Sequence, residues 1–442
     1  MKIAFVNQPI DTVLPPYQNS VGNCTYGVVY PLSRSSEVLV YGLADNHPHV
    51  DPSYLSGNPR YRLIPASARD RLLFRARKKL SQFSQTSTPI STSSSLYPEY
   101  GREVAVDLAR ERPDVIHIQH SSQYAPVLRE RNPQARIVLH LHAEWFSQTD
   151  PRLLLKRLES VDLLTTVSDY ITAKTRRDFP SVAARCETMY NGIDASEFRR
   201  EKDYAAVNGR AEKRILYTGA VSPHKGLHVL LEAFRLVVAE YPAVRLEILG
   251  PHGSYPIEET FDIRDRSLIR SLEPFYPKER AALLRRLLFR GAGDGNSYTT
   301  YLQNMLTPDI AGKVAILGMV EPRSRFVEYY YDADVFAFTP IWNEGFGLPP
   351  VEAMAAGTPV VASRSGAVVE TVVDRETGFL VDKNDVRATA EAILRLLRDE
   401  PLRTMMGRAA RQRALEKFTW DQVARSMHAR YCALVSSSAL LS

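Results

Sequence analysis

Short apolar runs recur from one end of this 442-residue chain to the other, and most are followed by a stretch with helical periodicity. That alternation constrains the fold more than any other feature, because strand, crossover helix and next strand in the same direction is how a parallel sheet is built. In the first half, strands are expected near Ile3–Asn7, Val38–Tyr41, Val115–Ile118, Ile137–His140 and Leu163–Val167. In the second half they are expected near Ile215–Thr218, Arg245–Leu249, Val314–Leu317, Val335–Phe338, Val360–Ala362 and Gly378–Val381, with helices such as Gly226–Glu240, Arg323–Tyr331 and Arg387–Arg398 between them. A chain of this length exceeds what one growing core accommodates. The expectation is therefore an α/β protein of two doubly wound halves facing each other, with ligands at the carboxyl ends of the strands. The charged, apolar-poor stretch from Arg199 to Lys213 marks the boundary between domains 1–200 and 205–419. A last helix, Trp420–Val435 within 420–442, is expected to return to the first domain.

Two segments read as insertions. Residues 81–95 are rich in Ser and Thr, and residues 252–310 contain a helical run, Lys278–Arg290, and a Gly-rich link, Gly291–Gly295.

Composition removes several classes. With 44% hydrophobic and 24% charged residues the chain matches an ordinary globular protein. Its three cysteines, Cys24, Cys186 and Cys432, are odd in number and far apart, which argues against a disulfide framework. No Cys, His or Asp cluster has metal-ligand spacing. The first residues enter a strand pattern directly, with no signal-peptide pattern, and no apolar run approaches the ~18–20 residues that span a bilayer. A cytoplasmic location is the expectation. The formal charge of +6 is mild, compatible with phosphorylated substrates or an anionic membrane surface. Nucleic-acid binding has no supporting motif.

The richest segment is Glu344-Gly-Phe-Gly-Leu-Pro-Pro-Val-Glu352. It begins just past the strand pattern of Phe336-Ala-Phe338, and Gly345 and Gly347 let the backbone turn tightly against a ligand. Pro349 or Pro350 suits a first helical turn, and the free N–H groups there favour a phosphate. Glu344 is expected in the turn and Glu352 in the first turn of the helix, both presented to one ligand. Since a carboxylate accepts paired hydrogen bonds from vicinal hydroxyls, the pair describes a nucleotide-sugar site. A second segment, Thr218 to Gly226, passes from strand through loop to helix and places Lys225 at the junction. A lysine at the positive end of a helix calls for a compensating anion, here a diphosphate.

Together with Ala353-Met-Ala-Ala-Gly-Thr-Pro-Val-Val-Ala-Ser363, Asn191-Gly-Ile-Asp194, Ile316-Leu-Gly-Met-Val320 and Gly378-Phe-Leu-Val381, these segments resemble glycosyltransferase family 4 of the GT-B fold. The resemblance runs in order from about residue 140 to about residue 420. It implies two Rossmann-like domains across a central cleft, and retaining, metal-independent transfer of a sugar from a nucleoside-diphosphate donor, with no cofactor beyond that substrate. It further implies that Glu344 contacts the donor sugar and Glu352 the ribose. The N–H groups of Gly345, Phe346, Gly347 and Leu348 would hold sugar and phosphate, and Lys225 the diphosphate. The turns at Gly250 and Gly318–Val320 would flank the base, and Gly219 would belong to the donor-binding set. In the first domain Ile137-Val-Leu-His140-Leu-His142 resembles the family strand that ends in a histidine at the reacting sugar, with His142 the better match of the two.

The chain also departs from that family. Ala220 stands where many members carry an Arg that shares the diphosphate charge, so either another cation fills the gap, with His224 or a first-domain Arg as candidates, or leaving-group stabilisation is weaker. The usual Gly-Gly pair of the first strand–helix loop is Val21-Gly22, in a long loop containing Pro15-Pro16, so Gly22 alone represents the acceptor or phosphate loop. Ala367 replaces a second Gly after Gly366, with Glu370 retained.

The sequence offers no nucleophile paired with a second carboxylate, so attack on the sugar face that the diphosphate leaves is expected, with that phosphate taking the acceptor proton. Acceptors implied are a glycan, polysaccharide or lipid-linked molecule. Basic amphipathic stretches, Arg69, Arg71, Arg75, Arg77, Lys78 and Lys79, then Lys278, Arg280, Arg285, Arg286 and Arg290, suit peripheral contact with the inner membrane. The competing reading is a nucleotide-sugar-binding subunit weakened in catalysis by Ala220 and the reduced Gly22 loop.

Overall fold

The computed structural model describes residues 1–15, 18–81, 92–144, 149–252, 265–275 and 297–439, the side chains of 78–81, 297 and 438–439 excepted. Pro16, most of the Ser/Thr-rich segment, the run Lys278–Arg290 with its basic residues, the link Gly291–Gly295 and the side chains of Lys78 and Lys79 lie outside these. The described chain divides into two compact units, one within Met1–Gly192 and from Thr419 onward, the other within Ile193–Phe418.

The first unit holds β1 (Lys2–Val6), β2 (Glu37–Leu43), β3 (Arg60–Ile64), β4 (Val115–Gln119), β5 (Arg136–Leu141), β6 (Leu163–Thr166) and β7 (Cys186–Thr188). The second holds β8 (Lys213–Thr218), β9 (Val244–Leu249), β10 (Val314–Gly318), β11 (Val335–Phe338), β12 (Val360–Ser363) and β13 (Gly378–Val381). Among the described residues the sheet orders are β3-β2-β1-β4-β5-β6-β7 and β10-β9-β8-β11-β12-β13. Every pairing within them is parallel. Both are the doubly wound sheets that the alternating pattern implies, with strand order reversing beside β1 and β8. At such a reversal adjacent crossovers part to opposite faces and leave a crevice at the carboxyl ends.

Burial explains the near-continuous apolar strands. Ile3 to Val6 and Val335 to Phe338 are covered on both faces, with Ala4, Val6, Ile116, Ile118 and Leu139 joining one core and Ile215, Tyr217, Ile248 and Ala337 another. The helix Trp420–Ala439 packs on the helix Ser20–Leu32, so closely that a Cβ on Gly27 would lie 2.2 Å from the Trp420 indole nitrogen. No helix among the described residues is long and apolar enough to cross a membrane.

The stretch 199–213 lies in the second unit and contains the short helix Tyr204–Asn208. Within it Lys202 is buried, and its Nζ donates to Ala333 O at 2.6 Å, Tyr331 O at 2.8 Å and Thr358 Oγ1 at 2.6 Å. The ammonium thereby satisfies the carbonyls left unpaired at the end of the helix Arg323–Asp332. Replacing it removes several buried bonds at once. Lys202→Met is expected to lower the unfolding free energy by about 2–4 kcal/mol; a change of a few tenths in urea melts would show that the carbonyls find other partners.

Candidate functional site

In the second unit the carboxyl ends of β8 and β11 are locked together by backbone. The turn Pro223–Lys225 follows β8, and Gly226, at φ +67°, starts the helix Leu227–Glu240. Thr339 Oγ1 donates to Gly226 O at 3.0 Å, and Ile341 N donates to His224 O at 3.0 Å. A Cβ on residue 226 would stand 1.9 Å from Thr339 O, so both the left-handed conformation and the close approach require glycine.

This interlock brings Lys225 to Glu344. Lys225 Nζ lies 2.5 Å from Glu344 Oε1, which also accepts the Trp342 indole N–H at 2.6 Å. The ammonium sits 4.9 Å from the Trp342 ring centre. Glu344 is only 6% exposed, and its Oε2 accepts no hydrogen bond from a described residue. Its backbone is held too: Glu344 N donates to Ser365 Oγ at 3.1 Å, and Ala367 N donates to Glu344 O at 2.9 Å. Gly366, at φ +50°, passes so near that a Cβ would be 2.3 Å from Glu344 O. Ala367 has an ordinary helical backbone, which is why Ala serves where a second Gly was expected.

The helix Leu348–Ala355 begins at Leu348, with Gly347 at φ +87° before it and no side chain capping it. Pro349 and Pro350 occupy its first turn as expected, and lack N–H groups of their own. Gly345, Phe346, Gly347 and Leu348 therefore carry the amides at this end, while the Phe346 ring packs on Phe418. Glu352 corrects one expectation. Because the helix starts before the prolines, Glu352 falls in the second turn, not the first. Its carboxylate is fixed at both oxygens, Arg323 donating to Oε1 at 2.5 Å and Tyr330 O–H to Oε2 at 2.7 Å. Arg323 also engages Glu197, and Thr218 Oγ1 lies 2.7 Å from the Tyr330 hydroxyl.

Gly219, Gly250 and Gly318 end the neighbouring strands β8, β9 and β10 and are drawn together there. Gly250 N donates to Gly318 O at 2.8 Å, and a Cβ on Gly250 would lie 2.1 Å from Gly219 O. Val320 follows two residues later and is half-buried.

His224 does not replace the missing family Arg. It is buried with its ring edge-on to Trp342, and desolvation, aided by the Lys225 charge beside it, drives its pKa well below the ordinary histidine value. A neutral ring brings no cation to a diphosphate. Lys383, in the segment after β13, instead donates to Asn343 Oδ1 beside Glu344. Sequence reasoning missed Lys383, Trp342, Tyr330 and Arg323. Trp342, inside the same turn, was the one with a local signal.

In the first unit His142 stands directly after β5, and its Nε2 lies 2.7 Å from Gln119 Oε1 at the end of β4. Burial pushes its pKa down to about 3, so the ring is neutral. His140 is buried inside β5 against Thr165, its ring 4.7 Å from that of His142. Gly22 lies in the first turn of the helix Ser20–Leu32, where its N–H is taken by the Asn19 side chain at 2.8 Å. A Cβ there would meet Thr12 O at 1.9 Å, so the need for glycine is a backbone contact. On the helix Ala68–Ser81, Arg69 pairs with Glu99 and Arg71 with Asp45, while Leu72 is 68% exposed. Half of the described basic cluster is thus neutralised.

The family model described as "Glycosyl transferases group 1" matches residues 276–413, and the one described as "Glycosyltransferase Family 4" matches residues 48–197. Spore coat protein SA of Bacillus subtilis is 26% identical over 348 residues, 75% of this chain and 81% of that protein. A D-inositol 3-phosphate glycosyltransferase of Corynebacterium urealyticum is 28% identical over 287 residues, 63% of this chain and 58% of that one. Among solved structures, Anabaena Alr3699/HepE in complex with UDP and glucose aligns with a TM-score of 0.66 at 16% identity, covering 98% of this chain and 100% of that one. That likeness shows the fold.

The Gly226 interlock can be probed directly. Gly226→Ala is expected to cost about 2 kcal/mol or more of stability, from strain and the clash with Thr339. Gly312→Ala, in helical backbone with open space around it, serves as control. Equal melts for the two variants would show that the loops shift apart freely.

Proposed function

The chain belongs to the family 4-like glycosyltransferases of the GT-B fold, and on that premise we propose that it transfers a sugar, with retention, from a nucleoside-diphosphate donor to a glycan, polysaccharide or lipid-linked acceptor. The observation that carries this reading is the Lys225–Glu344–Trp342 constellation, an anchored carboxylate with one open oxygen beside an ammonium, at the carboxyl end of the strands. The UDP and glucose held by Anabaena Alr3699/HepE support a uridine-type donor as the first to try.

In this mechanism the difficult step is departure of the diphosphate from the anomeric carbon. Lys225 and the N–H groups of Gly345 to Leu348 meet the growing charge on its oxygens, without a metal ion. Lys383, held on Asn343 Oδ1 next to Glu344 in the chain, is the further ammonium this reading assigns to the diphosphate, since Ala220 brings no Arg. Glu344 Oε2 accepts from a sugar hydroxyl and Glu352 from the ribose, both already held in place by protein donors, so little reorganisation accompanies binding. His142 is the residue this reading assigns to the reacting sugar from the acceptor side; the acceptor hydroxyl attacks the face that the diphosphate leaves, and the departing phosphate takes its proton. For a lipid-linked acceptor, the helix Ala68–Ser81 with exposed Leu72 and Arg75 is the part that would touch the membrane surface.

Screening nucleoside-diphosphate sugars for slow donor hydrolysis tests the reading. Wild type should release one nucleoside diphosphate, and Glu344→Gln and Lys225→Ala should each slow release by roughly two or more decades. Binding of a donor without turnover would favour the binding-subunit alternative. Near-normal rates in both variants would remove these residues from the site.

A further inference from the structure

Four polar side chains of the first unit form one directed chain. Asn7 follows β1, Thr25 lies in the helix Ser20–Leu32, Gln119 ends β4 and His142 follows β5. Asn7, Thr25 and Gln119 are buried. The chain begins at Tyr41 O, a carbonyl that can only accept, and Asn7 Nδ2 donates to it at 3.0 Å. That orientation turns Asn7 Oδ1 towards Thr25, whose hydroxyl donates to it at 2.8 Å. Thr25 has given its single proton, so it can only accept from Gln119 Nε2, at 3.1 Å. Gln119 then presents Oε1 to His142 Nε2 at 2.7 Å, and an amide oxygen demands a proton there.

The reverse orientation fails. A flipped Gln119 would need the Thr25 proton for itself and leave two oxygens facing each other at Asn7, lone pair to lone pair, in a buried site. The backbone N–H of His142 donates to His120 Nε2 at 3.1 Å, which fixes where the ring is carried. No hydrogen bond joins His142 Nδ1 to a described residue.

We propose that Gln119 is a positioning residue for sugar transfer: the relay from Tyr41 O through Asn7 and Thr25 holds His142 as its Nε2–H tautomer and leaves Nδ1 as an acceptor for a substrate hydroxyl. The functional half rests on the glycosyltransferase reading; the tautomer does not. With the ring kept neutral by burial, Nδ1 carries a lone pair and no proton. His142 therefore recognises a group that donates, and rejects a substrate with only an acceptor at that position.

The test uses the full chain labelled with 15N-histidine, the His142 signals being identified by their loss in His142→Ala. Wild type without ligand is expected to show a protonated Nε2 and an unprotonated Nδ1. Thr25→Val, which does not touch His142, should yield mixed tautomers and about a tenfold lower kcat/KM for the donor, the scale of one hydrogen bond. Thr25→Ser restores the hydroxyl and should restore both. A proton on Nδ1 in wild type overturns the relay, as does an unchanged tautomer with unchanged rate in Thr25→Val. Because the tautomer is read without substrate, a wild-type protein inactive on every donor would count against the transferase reading and leave the relay standing on its spectrum.

Discussion

An ammonium and a carboxylate 2.5 Å apart, Lys225 and Glu344, are the contact on which the loops at the carboxyl ends of the second unit's strands converge. Neither charge is well hydrated, since their side chains keep 18% and 8% of their exposure. A pair so placed gains stability only if the geometry is good and the other lone pairs are met, and removal of either partner strands the other. Here the geometry is imposed from below, by backbone. Gly226 and Thr339 touch, Ile341 bonds His224, and Ser365 and Ala367 pin Glu344 from the other side. The loops after β8, β11 and β12 are therefore one object, and the sheet order that makes β8, β11 and β12 neighbours is what permits it.

Much of this was legible from residue types alone. Buried parallel strands read as unbroken apolar runs, and Val335–Phe338 and Gly378–Val381 are strands at those bounds. The unread strands are β3 and β7, and both lie at the edge of their sheet. An edge strand needs little apolar surface: Arg60-Tyr-Arg-Leu-Ile64 spends its arginines on Glu111, and Cys186-Glu-Thr188 is too short to show a period. In the site, the Glu–x7–Glu motif revealed the carboxylates but not what holds them. Tyr330 and Arg323 reach Glu352 from a different helix, a relation that exists only after folding.

The misplacement of Glu352 has a similar cause. Proline marks a first helical turn, but two consecutive prolines do not say which of them is first, nor that Leu348 precedes both. One residue of difference at a helix start moves a side chain by about 100° around the axis. Glu352 consequently projects to Arg323 and Tyr330, and its carboxylate is oriented by them instead of by the helix end.

His224 and Lys383 show how burial decides which basic residue keeps a charge. His224 sits in the very loop that lost the family Arg, closer in sequence than any other candidate. Yet it lies under Trp342 beside an existing ammonium, and both desolvation and Lys225 oppose its protonation. Lys383 is remote in sequence, half-buried, and reaches Asn343 from the segment after β13. A lysine is a point charge and lacks the fork of a guanidinium, so on the proposed reading Lys383 could add charge but not the bidentate geometry of an Arg. Specificity lost there has to come from the fixed elements around it, the glycine-lined strand ends and the doubly anchored carboxylates.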